Sequence, residues 1–474
     1  MKIYRYIIAL EVVEYFAYAM LATILLYSIL HKGLGLAMPQ AVLHMSAFIS
    51  LLYCFIALGG FIGDRVLGSQ NTLLLGMFLI CLGYIGMVFF GYVVAEHLNL
   101  YYLISIPLAL ICIGTGAFKS NSSKIFAELI EEKKFLDTKF VYFLISINIG
   151  AALGGLISPA ISKYIDWQFV MLAAFFITLV SWILILKALH FQGSKILNLD
   201  FEFKRVVQVL LGVFAIVLLG AFVISNPKLV LVFQTLVIIF ILIFLVVKAA
   251  IDKENYSQIA FALVVLLLAW SMIFVFTQRT ISVNTFTILC TDHKLFGFII
   301  PPESFQALEP LWVVVVGPLC ILFMRKNSLA NLGIKYLNNI TIGIFACGLG
   351  YLLLYCATLS RSSEVVSSDW ILVFQLFMAF AELIAASTAL SIICSYMPVS
   401  LRTTAIGLWF ILISYAHLIS GYVVKNSLGS STDSTKSLIP EYSNIFKYCV
   451  LIMIISFVVG RIIRVSIKVK PQME

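Results

Sequence analysis

Charge is what this chain has least of: Asp, Glu, Lys and Arg together make up 11% of its 474 residues, where a soluble globular chain carries about 25%. That scarcity excludes an ordinary water-soluble domain. The formal net charge of +9 does not point to nucleic acid either, because the cations are dispersed between apolar runs instead of clustering on one segment. Paired cysteines are missing as well. The nine cysteines fall mostly inside apolar stretches, as Cys54, Cys81, Cys112 and Cys347 do, without C-x-x-C spacing, so neither a disulfide framework nor a metal site is expected. No H-E-x-x-H, G-x-S-x-G or metal-spaced His/Cys set occurs, so no enzyme and no cofactor is expected. Short segments of alternating polarity are lacking too, which excludes a transmembrane β-barrel.

What is present is apolar: 62% of the residues are hydrophobic. Read with a window of about 20 residues, the length that spans a bilayer as helix, the sequence resolves into about fourteen spans. They run near 6–30, 41–63, 70–95, 99–121, 140–164, 167–189, 206–225, 229–251, 256–280, 306–324, 338–359, 369–396, 403–424 and 444–466. The fold class is therefore an all-α, multi-pass membrane protein with the lipid bilayer as its surroundings. The first span contains glutamates and is not followed by a small-residue cleavage site, so it reads as a retained helix. With a cytoplasmic N-terminus, Arg65, Lys124, Arg402, Arg461 and Arg464 are among the many basic residues that lie inside, whereas Lys32, Lys163, Lys228 and Lys294 are among the few outside. That bias places both termini in the cytoplasm. The polar break SKILNLDFEFKRV, from Ser194 to Val206, and the later IDKENYSQ divide the chain. The expected domains are a six-helix bundle at 1–190, a linker with two extra helices at 191–255, and a second six-helix bundle at 256–474.

A few polar residues stand where their desolvation must be compensated. In EVVEYFAYAM, Glu11 and Glu14 are spaced i, i+3 on one helix face, with Tyr18 a turn further on. A carboxylate at the bilayer centre costs at least ~2.5 kcal/mol, so it faces a bundle interior and finds a partner. Lys119, after the apolar run YYLISIPLALICIG, is the matching cation. Desolvation raises a carboxyl pKa and a nearby cation lowers it, so a Glu pair sharing one Lys can titrate near working pH, as a proton carrier requires. The alternative is a static ion pair tying two helices. Glu382 stands alone in FQLFMAFAELIAAS, either as a counter-charge for a substrate amine or as a packing carboxyl bonded to backbone. The stretch GGFIGDRVLG supplies glycines, Gly60 among them, for close helix approach and a tight cytoplasmic turn, where Asp64 and Arg65 can bridge between helix ends.

These segments, taken in order, resemble the proton-dependent oligopeptide transporters of the major facilitator superfamily. EVVEYFAY is similar to the family's E-x-x-E-R-F-x-Y-Y, and GTGAFKSNSS to G-T-G-G-I-K-P-N, which carries the substrate-site lysine onto Lys119. SINIGAALGG supplies Asn148, SFQALEP resembles F-Q-x-L-N-P, AELIAASTALS supplies Glu382, and GLWFILIS supplies Trp409. GGFIGDRVLG resembles the superfamily's loop motif between helices 2 and 3, which implies a cytoplasmic gate motif at Gly60, Asp64 and Arg65. The resemblance implies two six-helix halves, an inserted helical pair and alternating access. It also implies proton-coupled uptake of di- or tripeptides across a bacterial inner membrane by a monomer. Glu11, Glu14 and Lys119 are then the proton-coupling set. Tyr18, Tyr53, Lys119, Asn148, Gln278, Glu309, Glu382 and Trp409 are the expected substrate contacts.

The pattern departs from the family in three places. Tyr15 stands where the family has arginine, with Ala19 and Ala22 at further motif positions. Thr277 takes the acidic position in WSMIFVFTQRT, where Arg279 follows nearby, and Glu309 replaces an asparagine. The changes remove cations near Lys119 and add an anion, so an amine-bearing solute such as an amino acid or polyamine, with altered or no proton coupling, is the alternative cargo. Arg279 either restores a cation to the pocket or reaches out to the membrane surface. His44 is expected at the outer membrane interface, and His417 has no family counterpart.

Overall fold

The computed structural model describes residues 4–96, 102–129, 136–191, 203–251, 256–326, 332–360, 364–429 and 437–466. Most of the polar break, residues 194–202, lies outside them. The chain folds as helices α1 (Tyr4–Ile24), α2 (Met38–Ile62), α3 (Ser69–Glu96), α4 (Ser105–Glu128), α5 (Leu136–Tyr164), α6 (Trp167–Phe191), α7 (Phe203–Ser225) and α8 (Pro227–Ile251). They are followed by α9 (Tyr256–Gln278), its short continuation α10 (Asn284–Cys290), α11 (Leu308–Lys326), α12 (Leu332–Leu359), α13 (Asp369–Tyr396), α14 (Val399–Gly429) and α15 (Ile439–Ser466). Helix is the only open form of backbone that satisfies its own hydrogen bonds in hydrocarbon, and each long apolar run adopts it. Among the described residues, twelve helices are long and apolar enough to cross a membrane, α9 and α10 counting as one. Helices α7 and α11 complete the fourteen; the described apolar part of α7, Leu211–Ser225, is shorter.

Three π-helical segments interrupt the regular register, at Leu25–Gly33, Gly63–Leu67 and Arg279–Val283. Such wide turns shift every following side chain around the axis. A two-stranded hairpin, β1 (Lys294–Leu295) with β2 (Phe298–Ile299), follows α10.

The chain divides into two compact units, Met1–Val230 and Leu231–Glu474. In the first, α4 packs against α2 and α3, while α1 packs against α5. Glycine makes both approaches possible. A β-carbon on Gly116 of α4 would strike the backbone of Phe55 on α2, and one on Gly150 or Gly154 of α5 would strike the backbone of Val12 or Phe16 on α1. Because α1 gives its Val12–Phe16 stripe to α5, the stripe bearing Glu11 and Glu14 is left for α4.

In the second unit, α9 packs against α12, α13, α14 and α15, and α11 against α13. Its core is aromatic, with Tyr351 against Phe374 at 5.0 Å and Phe286 against Phe446 at 5.1 Å between ring centroids. Tyr351 Oη donates to Val275 O at 2.9 Å, so even the polar end of this core is used to fix α12 on α9. Outside the membrane, Asp292 ties the end of α10 to the start of α13. Its Oδ1 accepts from Ser368 N at 3.0 Å and Ser368 Oγ at 2.9 Å. Partial burial pushes the Asp292 carboxyl up, but the hydrogen bonds from Ser368 and Lys294 outweigh it and hold it below the usual carboxylate value.

Candidate functional site

Each unit buries its own cluster of charge. In the first, Glu11 and Glu14 are 1% and 2% exposed on α1. Lys119, on α4, places Nζ 3.9 Å from Glu14 Oε2. The same Nζ lies 3.7 Å from the ring centre of Tyr15 and 4.5 Å from that of Tyr18. The two rings meet edge to face at 6.4 Å, forming two walls around the ammonium. Ring faces attract a desolvated cation by about 2 kcal/mol, so the aromatic walls supply much of what a single loose carboxylate contact does not. Glu11 accepts a hydrogen bond from Ser122 Oγ, one turn along α4 from Lys119. Thr115 stands beside Glu14, and Tyr53 of α2 beside Tyr18.

Sequence reasoning missed Ser122 and misjudged Tyr15. Ser122 lies i+3 from Lys119, a spacing that puts both on one face, and that was the available signal. Tyr15 does more than remove the family's arginine, because its ring is a partner of Lys119. Asn121, in the same motif, clamps α4 to α2 by donating to Gly59 O at 3.1 Å and to its own helix at Ala117 O, 2.8 Å.

Asn148 is buried on α5, and its Nδ2 donates to Leu144 O at 3.0 Å within the same helix. His44 is 7% exposed, with Nδ1 2.9 Å from Gln40 O. At the gate motif, Asp64 Oδ1 meets Lys124 Nζ of α4 at 2.6 Å, both side chains being partly open to solvent. Arg65 is exposed. A β-carbon on Gly60 would make ordinary contact with Ser120 at 3.7 Å, so the closest approach of α2 to α4 belongs to Gly59.

The second unit gathers Arg279, Glu309 and Glu382. Arg279 opens the π-helical segment after α9, and its Nη1 lies 3.5 Å from Glu309 Oε2 in the first turn of α11. Its guanidinium carbon is 5.2 Å from the Phe276 ring centre. Arg279 is therefore paired inside the unit instead of reaching outward. Glu382 of α13 lies within hydrogen-bonding reach of Glu309 and within the field of Arg279. His417 of α14 and Tyr351 of α12 also feel Arg279.

Gln278 is not part of this cluster. Its Nε2 donates to Ser420 Oγ at 2.7 Å and its Oε1 accepts from Ser282 Oγ at 2.6 Å. Thr277 bonds Phe274 O at 2.9 Å and approaches Ser420 Oγ at 3.2 Å. Trp409 is 4% exposed, packed in the apolar core. Among the described residues no group of His, Cys, Asp or Glu could hold a metal ion.

A family model described as "PTR2: POT family" matches residues 70–445. Dipeptide and tripeptide permease B of Salmonella typhimurium is 28% identical over 423 residues, covering 88% of this chain and 85% of its own. Dipeptide and tripeptide permease A of Yersinia pestis is 27% identical over 456 residues, covering 94% and 88%. Among solved structures, tetrameric PepTSo2 superposes with a TM-score of 0.81 at 20% identity, covering 97% of each chain, which establishes the shared fold. A fourteen-helix membrane fold and a match over most of the length lead to one assignment: this chain belongs to the POT family of proton-dependent oligopeptide transporters.

Proposed function

We propose that this protein is a secondary carrier that takes up di- and tripeptides, or peptide-like solutes, together with protons by alternating access. The observation that carries the reading is the α1–α4 cluster, two buried carboxyls of which Glu14 faces Lys119 and Glu11 accepts from Ser122 one turn along α4. A buried Glu–Glu–Lys set has more protonation states than a simple ion pair, and a carrier couples to a gradient by changing state. Glu11, Glu14 and Lys119 are the coupling groups in this proposal. In the same proposal Lys119 also takes a substrate carboxylate, Glu382 and Glu309 take a substrate amine, and Tyr18, Tyr53, Asn148, Gln278 and Trp409 are further substrate contacts. The permeases named above support the substrate class. The bundles 1–190 and 256–474 are the moving bodies, with 191–255 as an inserted pair, Asp64 and Arg65 at the cytoplasmic gate, and both termini in the cytoplasm. A bacterial inner membrane and a monomer complete the proposal.

One observation favours a second cargo. Among the described residues, Lys119 is the cation that faces Glu14 in the first unit, whereas the second unit gathers two carboxyls. That asymmetry suits an amine-bearing solute with a weak carboxylate or none. Uptake of labelled dialanine into proteoliposomes, with and without an inward proton gradient, tests the leading reading. Accumulation that needs the gradient is expected; equal uptake with and without it would mean dialanine transport without proton coupling, and no uptake in either condition would point to the amine-bearing cargo.

A further inference from the structure

The second unit's cluster has an unbalanced arrangement of donors and acceptors. Glu309 is 3% exposed, and its Oε1 receives no hydrogen bond from any described side chain. Oε2 faces Arg279 Nη1 at 3.5 Å. The neighbour within reach is the carboxyl of Glu382, which when ionised is only an acceptor. Two carboxyls side by side, with one guanidinium, are balanced when one proton lies between them: Arg⁺, one carboxylate and one carboxylic acid sum to zero charge. Two bare carboxylates there would leave a net negative charge in a low-dielectric interior, the condition that makes paired carboxyls hold a proton.

We propose that Glu309 and Glu382 hold one proton between them beside Arg279, and that a substrate ammonium group enters this pair in exchange for that proton. The exchange balances: before it, one guanidinium, one carboxylate and one carboxylic acid; after it, one guanidinium, two carboxylates and one ammonium, with one proton released to water. The buried charge is unchanged, so exchange is cheaper than adding an ammonium to a site already neutral. Binding of ammonium-bearing solutes to this unit is then favoured as pH rises, opposite to a site that must gain a proton to load. Among the described residues, Tyr351 of α12 and His417 of α14 also interact with Arg279. A phenol is neutral at working pH, and His417 is separated from the carboxyls in the test by its own variant. The idea deepens the proposed transport function and rests on it for the identity of the ligand, though not for the existence of the proton.

Infrared difference spectroscopy on the purified full-length protein tests both parts. At neutral pH, subtracting the spectrum of Glu382→Gln from that of the native protein should leave one protonated-carboxyl band, and Glu309→Gln should remove the same band. Glu382→Gln leaves the Arg279–Glu309 pair intact, so the test stands if Glu309→Gln fails to fold. Dialanine should abolish the band in native protein with release of about one proton, while N-acetyl-dialanine, which has no ammonium, should leave it. If dialanine leaves the band but alaninamide abolishes it, the exchange stands and the peptide reading falls. Absence of the band from native protein, its survival in both glutamate variants, its loss in His417→Gln alone, or its indifference to both ammonium ligands would each overturn the proposal.

Discussion

The two units bury charge in different ways. In the first, the cation is a lysine held by ring faces at 3.7 and 4.5 Å and by one carboxylate at 3.9 Å. In the second it is an arginine facing Glu309 at 3.5 Å, with Glu382 also within its field. An ammonium on a flexible stem can turn from one partner to another, whereas a planar guanidinium favours a fixed fork. The lysine cluster thus suits a change of partners, and the arginine cluster suits one kept pair beside a second carboxyl. In the proposal above, coupling belongs to the lysine side and amine recognition to the arginine side.

The largest expected effect is that of Lys119→Ala. Removing one member of a buried pair strands the other at a cost of about 3–5 kcal/mol, so gradient-driven uptake should fall to background while the protein still reaches the membrane. Normal gradient-driven uptake in that variant would move coupling elsewhere. Next comes Glu309→Asn, which restores the residue that the family pattern carries. One lost charge-assisted contact is worth roughly 1.5 kcal/mol, or about tenfold. Competition assays should show dialanine losing about that much relative to N-acetyl-dialanine, which has no ammonium. Unchanged selectivity would leave Glu309 the task of anchoring Arg279 alone.

Tyr15 gives a graded test of the aromatic walls. Tyr15→Leu removes a cation–π contact of about 0.5–2 kcal/mol, roughly a two- to thirtyfold loss in uptake. Tyr15→Phe keeps the ring and should stay within about twofold of native uptake. Equal losses would point to the hydroxyl. The smallest effect belongs to Asp292, outside the membrane. Its carboxyl is held low by Ser368 and Lys294, so its contribution is present above the ordinary carboxylate range and disappears as pH falls through the depressed value. The Tm difference between native protein and Asp292→Asn should be steady near neutral pH and close only in acid. A gap unaffected by pH would show that the Ser368 contacts do not depend on the charge.

Much of this was legible in the sequence because a bilayer restricts what a chain can do. Continuous apolar runs become helices, and a Glu or Lys inside one stands out against its neighbours, as Glu11, Glu14, Lys119 and Glu382 did. The remainder depends on contacts between distant segments. Ser122 meets Glu11 across 111 positions, and a serine in an apolar helix ordinarily bonds its own backbone. Arg279 could not be placed because a π-helical segment begins at that residue and resets the face it presents. The ring of Tyr15 looked like a lost cation because a substitution reveals what was removed more readily than what the new group touches.

The central claim is that Glu14 with Lys119 couples transport to protons instead of merely tying α1 to α4. Its most direct test compares two assays on Glu14→Gln in proteoliposomes: gradient-driven accumulation of dialanine, and counterflow exchange of dialanine without a gradient. Loss of accumulation with counterflow retained is the predicted result. Accumulation at the native level, or loss of both activities together with loss of folded protein, would contradict a coupling role and leave the pair a structural tie.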